Sequence, residues 1–209
     1  VRLLHARVRH HVLQSGHWPS QELGMPINQL QMGMTALGFS LQIVQGLQRL
    51  GIQLDADLVT SYQHLWRYAN WLQGVDPALQ ADSLAGEAEL YQQLAPLLLR
   101  PDDNSRILTA AVHEHLGGKA PFFLPSSGLQ AISRHLLDAT LADAYQLPHH
   151  HGWQVALRLI QGVNRVAGLR RWIPGLGRIE GAFGEFYFHQ LIAYGLAKQT
   201  ADFGFKTAN

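Results

Sequence analysis

Cysteine is absent from the 209 residues. Disulfides, thiolate zinc sites, iron–sulfur clusters and cysteine nucleophiles are therefore excluded, and with them a secreted disulfide scaffold. Charge is sparse as well, at 15% of residues with a net value of +1. That balance lacks the basic face of a nonspecific nucleic-acid binder, and no nucleic-acid partner is expected. Lysine occurs only at Lys119, Lys198 and Lys206. Nearly all cations are arginines, which suit bidentate capture of carboxylates and phosphates. No apolar run approaches the roughly 20 residues of a membrane span. A Walker-A loop and a G-x-S-x-G elbow are both missing. Gly175-Leu176-Gly177 with Gly181 lacks the dinucleotide-binding spacing, so a turn with close helix packing explains it.

What remains is apolar and rich in imidazole. Hydrophobic residues make up 47% of the chain, enough for a core without staples. Twelve histidines are present, each a titrating group near neutral pH and a potential metal ligand. Val1 opens the chain inside a helical pattern, which suggests the downstream part of a longer polypeptide.

Periodicity predicts helix after helix, with no strand-period segment beyond a few residues. Val1, Leu4, Val8 and Val12 mark an amphipathic helix over 1–14. Asn28 is placed to cap a long helix over 29–50, stopped by Gly51. Further helices are expected over 55–74, 84–99 and 104–116. Ser127 with Gln130 fits a capping box opening a helix to about Tyr145. Helices over 152–171 and 177–199 follow, separated by Pro174-Gly175. The expected fold is all-α, one globular multi-helix domain spanning 1–209. Trp18, Trp66, Trp71, Trp153 and Trp172 are read as core or interface. Phe183, Phe186, Tyr187, Phe188 and Tyr194 give an aromatic last helix, read as packing or as a pocket wall.

The segment most suggestive of chemistry is Arg2-Leu3-Leu4-His5-Ala6-Arg7-Val8-Arg9-His10. At about 3.6 residues per turn, positions 2, 5 and 9 share one helix face. An imidazole beside an apolar stripe, with a guanidinium one turn away on each side, has a specific use. It can ligate haem iron while the arginines pair with the propionates and the stripe contacts the macrocycle. Segment 1–20 carries no local aspartate, and its glutamate begins only at Glu22. The same pattern also suits a plain solvated face. The other histidine clusters carry less. His149-His150-His151 reads as a solvated loop. His113 and His115 fall on different helix faces, unlike a zincin. His5 and His10 lie about 140° apart, which disfavours joint ligation.

The R-x-x-H-x-x-x-R arrangement at Arg2, His5 and Arg9 resembles the haem-ligand motif of the latex clearing proteins and the related MpaB-type oxygenases. The resemblance continues through Gly24-Met25-Pro26-Ile27-Asn28, Phe39-Ser40 and Gly46-Leu47-Gln48-Arg49-Leu50-Gly51. It runs on through Leu65-Trp66-Arg67 and Leu72-Gln73-Gly74-Val75. It includes Arg134-His135-Leu136-Leu137, Leu141-Ala142-Asp143 and Leu147-Pro148, with Asp138 where the family usually has glycine. It implies a globin-like helical core holding haem b, with His5 as axial iron ligand and Arg2 and Arg9 as propionate or helix-orienting residues. It also implies cleavage of a carbon–carbon double bond in an apolar, isoprenoid-like substrate by dioxygen. Family members carry distal polar residues upstream of the histidine motif, at which this chain opens. The competing expectation is a non-catalytic helical module that binds haem or a lipid.

Overall fold

A computed structural model of the chain describes residues 1–119, 123–167 and 176–195. The expected turn at Pro174-Gly175, Phe122, Trp172 and the side chains of Phe183 and Tyr194 lie outside these described residues. Among them there are helices and no strands, so the fold is all-α. No described helix is long and apolar enough to cross a membrane. The chain forms two compact units, Val1–Asn104 and Ser105 onward.

The first unit contains α1 (Arg2–Gln14), α2 (Ser20–Leu23), α3 (Gln29–Phe39), α4 (Leu41–Arg49), α5 (Ala56–Gln73), a 3-10 turn (Pro77–Leu79) and α6 (Leu84–Leu98). Its core is Leu37, Leu41 and Leu94, with Met34, Leu79 and Tyr91 packed around them. Capping chemistry sets most boundaries. Asn28 forms a full capping box with Gln31, Asp55 caps α5, Ser83 caps α6, and Gly74 ends α5 in the left-handed region.

The single helix expected over 29–50 is two helices. The break falls at Ser40, which is 2% exposed and donates its hydroxyl to the Ala36 carbonyl 3.1 Å away. A serine bonding back one turn offers the backbone an alternative to the helical ladder. Ser40, Gln63 and Glu87 are all buried, and they meet where the α3–α4 joint packs against α5 and α6. Burial pushes the Glu87 carboxyl above its ordinary value, while the neighbouring Gln63 and Ser40 side chains act in the opposite direction.

The second unit contains α7 (Asp103–Leu116), α8 (Ser126–Leu136), α9 (Ala139–Ala144), α10 (His151–Ala167) and α11 (Leu176–Gly195). The helix expected to run to Tyr145 stops at Leu136 and resumes at Ala139. Asp138, the residue standing where the family has glycine, caps α9 by accepting from the Leu141 amide at 2.8 Å. The expected capping box at Ser127 does not form, because Pro125 is the N-cap. Ser127 instead accepts a hydrogen bond from Trp153 Nε1 of α10, at 3.1 Å. Gly128 makes room for that ring, since a Cβ there would meet Trp153 at 3.0 Å.

Trp71 is 63% exposed, as are Phe186 and Phe188 at 61% each. None of the three is core.

Candidate functional site

The first helix is turned partly away from the face its hydrophobic pattern suggests. Leu4 and Val8 of the expected apolar stripe are exposed, while His5 and Arg9 are half-buried against the rest of the unit. The contact surface is therefore centred on the imidazole and guanidinium, with Val12 half-buried at its edge and Val1 on the cavity wall.

Arg9 explains this rotation. Its Nε donates to the Pro26 carbonyl at 2.9 Å and one Nη donates to the Ile27 carbonyl at 2.6 Å. One guanidinium thus clamps α1 onto the turn before α3. The turn is strained, because Ile27 holds φ at +53°. A β-branched residue rarely adopts that conformation. Two charge-assisted bonds flanking it help hold it there.

Arg2 lies on the other side. Its guanidinium covers Gly74, where an added Cβ would meet it at 3.4 Å. Gly74 has φ +82°, so the left-handed backbone favours glycine, while the guanidinium would be an ordinary contact for a Cβ. Gln29 secures this turn, donating to the Gly74 carbonyl and accepting from the Asp76 amide, each at 2.9 Å. Arg2 itself makes no hydrogen bond or ion pair among the described residues. Arg2, His5 and Arg9 share the wall of one recess of about 180 Å³, so the residues bracketed by sequence do converge in space.

His5 also lines a larger cavity of about 550 Å³, within the roughly 300–1,000 Å³ of small-molecule and cofactor sites. Its wall is mostly apolar, including Ile27, Met32, Phe39 and Val75. Trp66 lines it too. That ring stacks on Phe39 at 4.9 Å and meets Tyr62 edge-on at 6.3 Å, while Tyr62 donates to the Phe39 carbonyl at 2.7 Å. The aromatic wall is therefore fixed. Asn70 and Gln73 continue it one and two turns further along α5. Their spacing from Trp66, four and seven residues, is the signal by which the sequence could have disclosed that wall. Nothing local could have disclosed the opposite wall on α3, formed by Gln31, Thr35 and Ala36.

The two nitrogens of His5 are not alike. Nδ1 is shut away from solvent without a hydrogen-bond partner. Nε2 is neither buried in this way nor hydrogen-bonded, which leaves it open to a ligand. The cradle suits a flat iron cofactor: one open imidazole nitrogen, apolar and aromatic walls, and an uncommitted guanidinium at the rim. One feature is unusual for a metal-bound histidine. The ring is oriented by the recess walls, not by the carboxylate or carbonyl partner such residues normally have.

In the second unit, the stretch from Arg134 to Leu147 is a structural clasp. Arg134 donates to the Leu147 carbonyl at 2.8 Å and pairs with Asp143, closing the chain around α9. Arg67, by contrast, pairs with Asp82 on the surface at 2.9 Å, a contact worth about 0–1 kcal/mol. His113 is buried with Nε2 2.9 Å from Ser133 Oγ, and burial lowers its pKa against the opposing effect of the Thr109 carbonyl. His115 is exposed, so the two do fall on different faces. Among the described residues no group of three or more histidines and carboxylates is arranged to hold a metal ion.

The chain is all-α, and His5 lines a largely apolar cavity of its first unit. Residues 1–173 match the family described as ER-bound oxygenase mpaB/B'/rubber oxygenase, catalytic domain, and the chain belongs to that family. Rubber oxygenase from Streptomyces sp. (strain K30) is 26% identical over 149 residues, covering 68% of this chain. The chain spans about a third of that relative, 35% of its length. No solved structure matches.

Proposed function

We propose that this chain acts as a haem b-dependent oxygenase with His5 as its iron ligand. Its substrate is an apolar, isoprenoid-like alkene, cleaved at a carbon–carbon double bond by dioxygen to give carbonyl products. The observation that carries the reading is that His5, with Nδ1 buried and Nε2 unbonded, lines a largely apolar cavity in a member of an oxygenase family. Haem iron, when bound, supplies dioxygen activation and electron transfer that side chains alone do not.

The protein groups do the positioning. His5 ligates iron through Nε2. Arg2, which has no other partner among the described residues, would pair with a propionate at the rim. Arg9 stays on the Pro26 and Ile27 carbonyls and holds the histidine helix against the turn. Phe39, Trp66 and Val75 exclude water and accept the hydrocarbon by apolar contact. The two units together act as one oxygenase domain.

The test is reconstitution with hemin, followed by dithionite, carbon monoxide and then an isoprenoid alkene under oxygen. A sharp Soret band that shifts on reduction and carbon monoxide binding, with carbonyl products trapped afterwards, is the expected result. A Soret band without carbonyl products favours a haem-binding module. No band contradicts the cofactor assignment.

A further inference from the structure

The second unit has a groove of about 490 Å³ between the C-terminal half of α8 and the first half of α10. Its wall carries two arginines, three histidines and two glutamines, and no aspartate or glutamate. In a chain whose cations and anions nearly cancel, 16 against 15, that lining is a local excess of positive charge.

The partners of these groups decide what the groove is for. Arg134 is compensated by Asp143 and fixed by the Leu147 carbonyl. Arg158 makes no hydrogen bond or ion pair among the described residues. Each histidine is held by a glutamine: His135 by Gln161 at 3.0 Å, His149 by Gln154 at 3.3 Å, and His150 by Gln130 at 2.9 Å. A glutamine amide orients an imidazole without neutralising it. The Gln154 amide nitrogen donates to His149 Nδ1, which puts the ring proton on Nε2 and makes that atom a donor.

A metal cation does not fit, because the arginines repel it and no ligand trio is assembled. An anion fits. We propose that this groove binds a phosphate-type oxyanion, free or as a phosphomonoester. Arg158 is its principal charge partner, His149 Nε2–H a second donor, and Arg134 a fixed positive wall. Ala131, Leu137 and Leu157 add an apolar side against which the organic part of a phosphomonoester would lie. The assignment is independent of the cavity at His5.

Calorimetric titration of the full, untagged chain tests it, using inorganic phosphate and phenyl phosphate against sodium chloride at matched ionic strength. Saturable phosphate binding is expected. Arg158→Gln should raise the Kd about tenfold or more, as loss of a charge-assisted bond requires. Arg165→Gln, on the same helix but outside the groove, should leave it unchanged. Arg158 is exposed, so its variant is expected to fold, and circular dichroism checks this. Tighter binding of phenyl phosphate identifies a phosphomonoester, and equal or weaker binding identifies the free ion. No saturable binding, or the same Kd in Arg158→Gln, overturns the proposal.

Discussion

Histidines in the two units are treated oppositely. In the second unit His113, His135, His149 and His150 each have a hydrogen-bond partner, a serine or a glutamine. In the first unit His5 has none, although it is half-buried and lines two cavities. Buried polar groups are normally satisfied within the protein. On the proposed reading, a histidine left with one shut and one unbonded nitrogen is the one that a ligand from outside would use. Abundance of imidazole says little; the partner of each ring says much.

The largest expected effect breaks this contrast directly. His5→Ala should abolish the hemin Soret shift, whereas His150→Gln should leave it intact. Equal loss in both variants, read by absorbance titration, would mean that hemin binds the chain without regard to site.

Next comes a contrast between glycines. Gly74→Ala must adopt a left-handed backbone under the Arg2 guanidinium, at a cost of about 1–2 kcal/mol. Gly162→Ala, in mid-helix on α10 with nothing within 4 Å, should gain roughly 0.5–1 kcal/mol. Thermal denaturation reads both. A Gly74→Ala variant as stable as the parent would contradict the left-handed backbone at this C-cap.

The smallest effect concerns Glu87. Its folded pKa is raised above the ordinary 4.5, so its favourable contribution is fully present below that value. It is lost as pH rises through the raised folded pKa. Glu87→Gln should therefore gain stability relative to the parent as pH rises above the ordinary 4.5, in denaturant titrations. A difference that stays constant with pH would contradict the shift.

Helix identity was legible along the chain because Asn28, Asp55 and Gly74 punctuate it with local chemistry. The two breaks inside expected helices were less so. Ser40 and Asp138 divide patterns that read as continuous, and each does so through hydrogen bonds of its own side chain that periodicity does not register. The Arg2, His5 and Arg9 bracket was legible from spacing, and the three do share a recess. The direction of α1 was not. Hydrophobic patterning points Leu4 and Val8 inward, but two carbonyls at Pro26 and Ile27, far along the chain, draw Arg9 and its face inward instead. Trp66, Asn70 and Gln73 were half-legible as a stripe on α5. Their facing residues on α3 belong to a different helix and became neighbours only on folding.

The central claim is that His5 Nε2 is the ligand atom. It is tested most directly by chemical rescue of His5→Gly with free imidazole in the presence of hemin. The account predicts that the variant alone shows no protein-bound Soret band, and that added imidazole restores a band matching the parent. A parent-like band in His5→Gly without imidazole would contradict it.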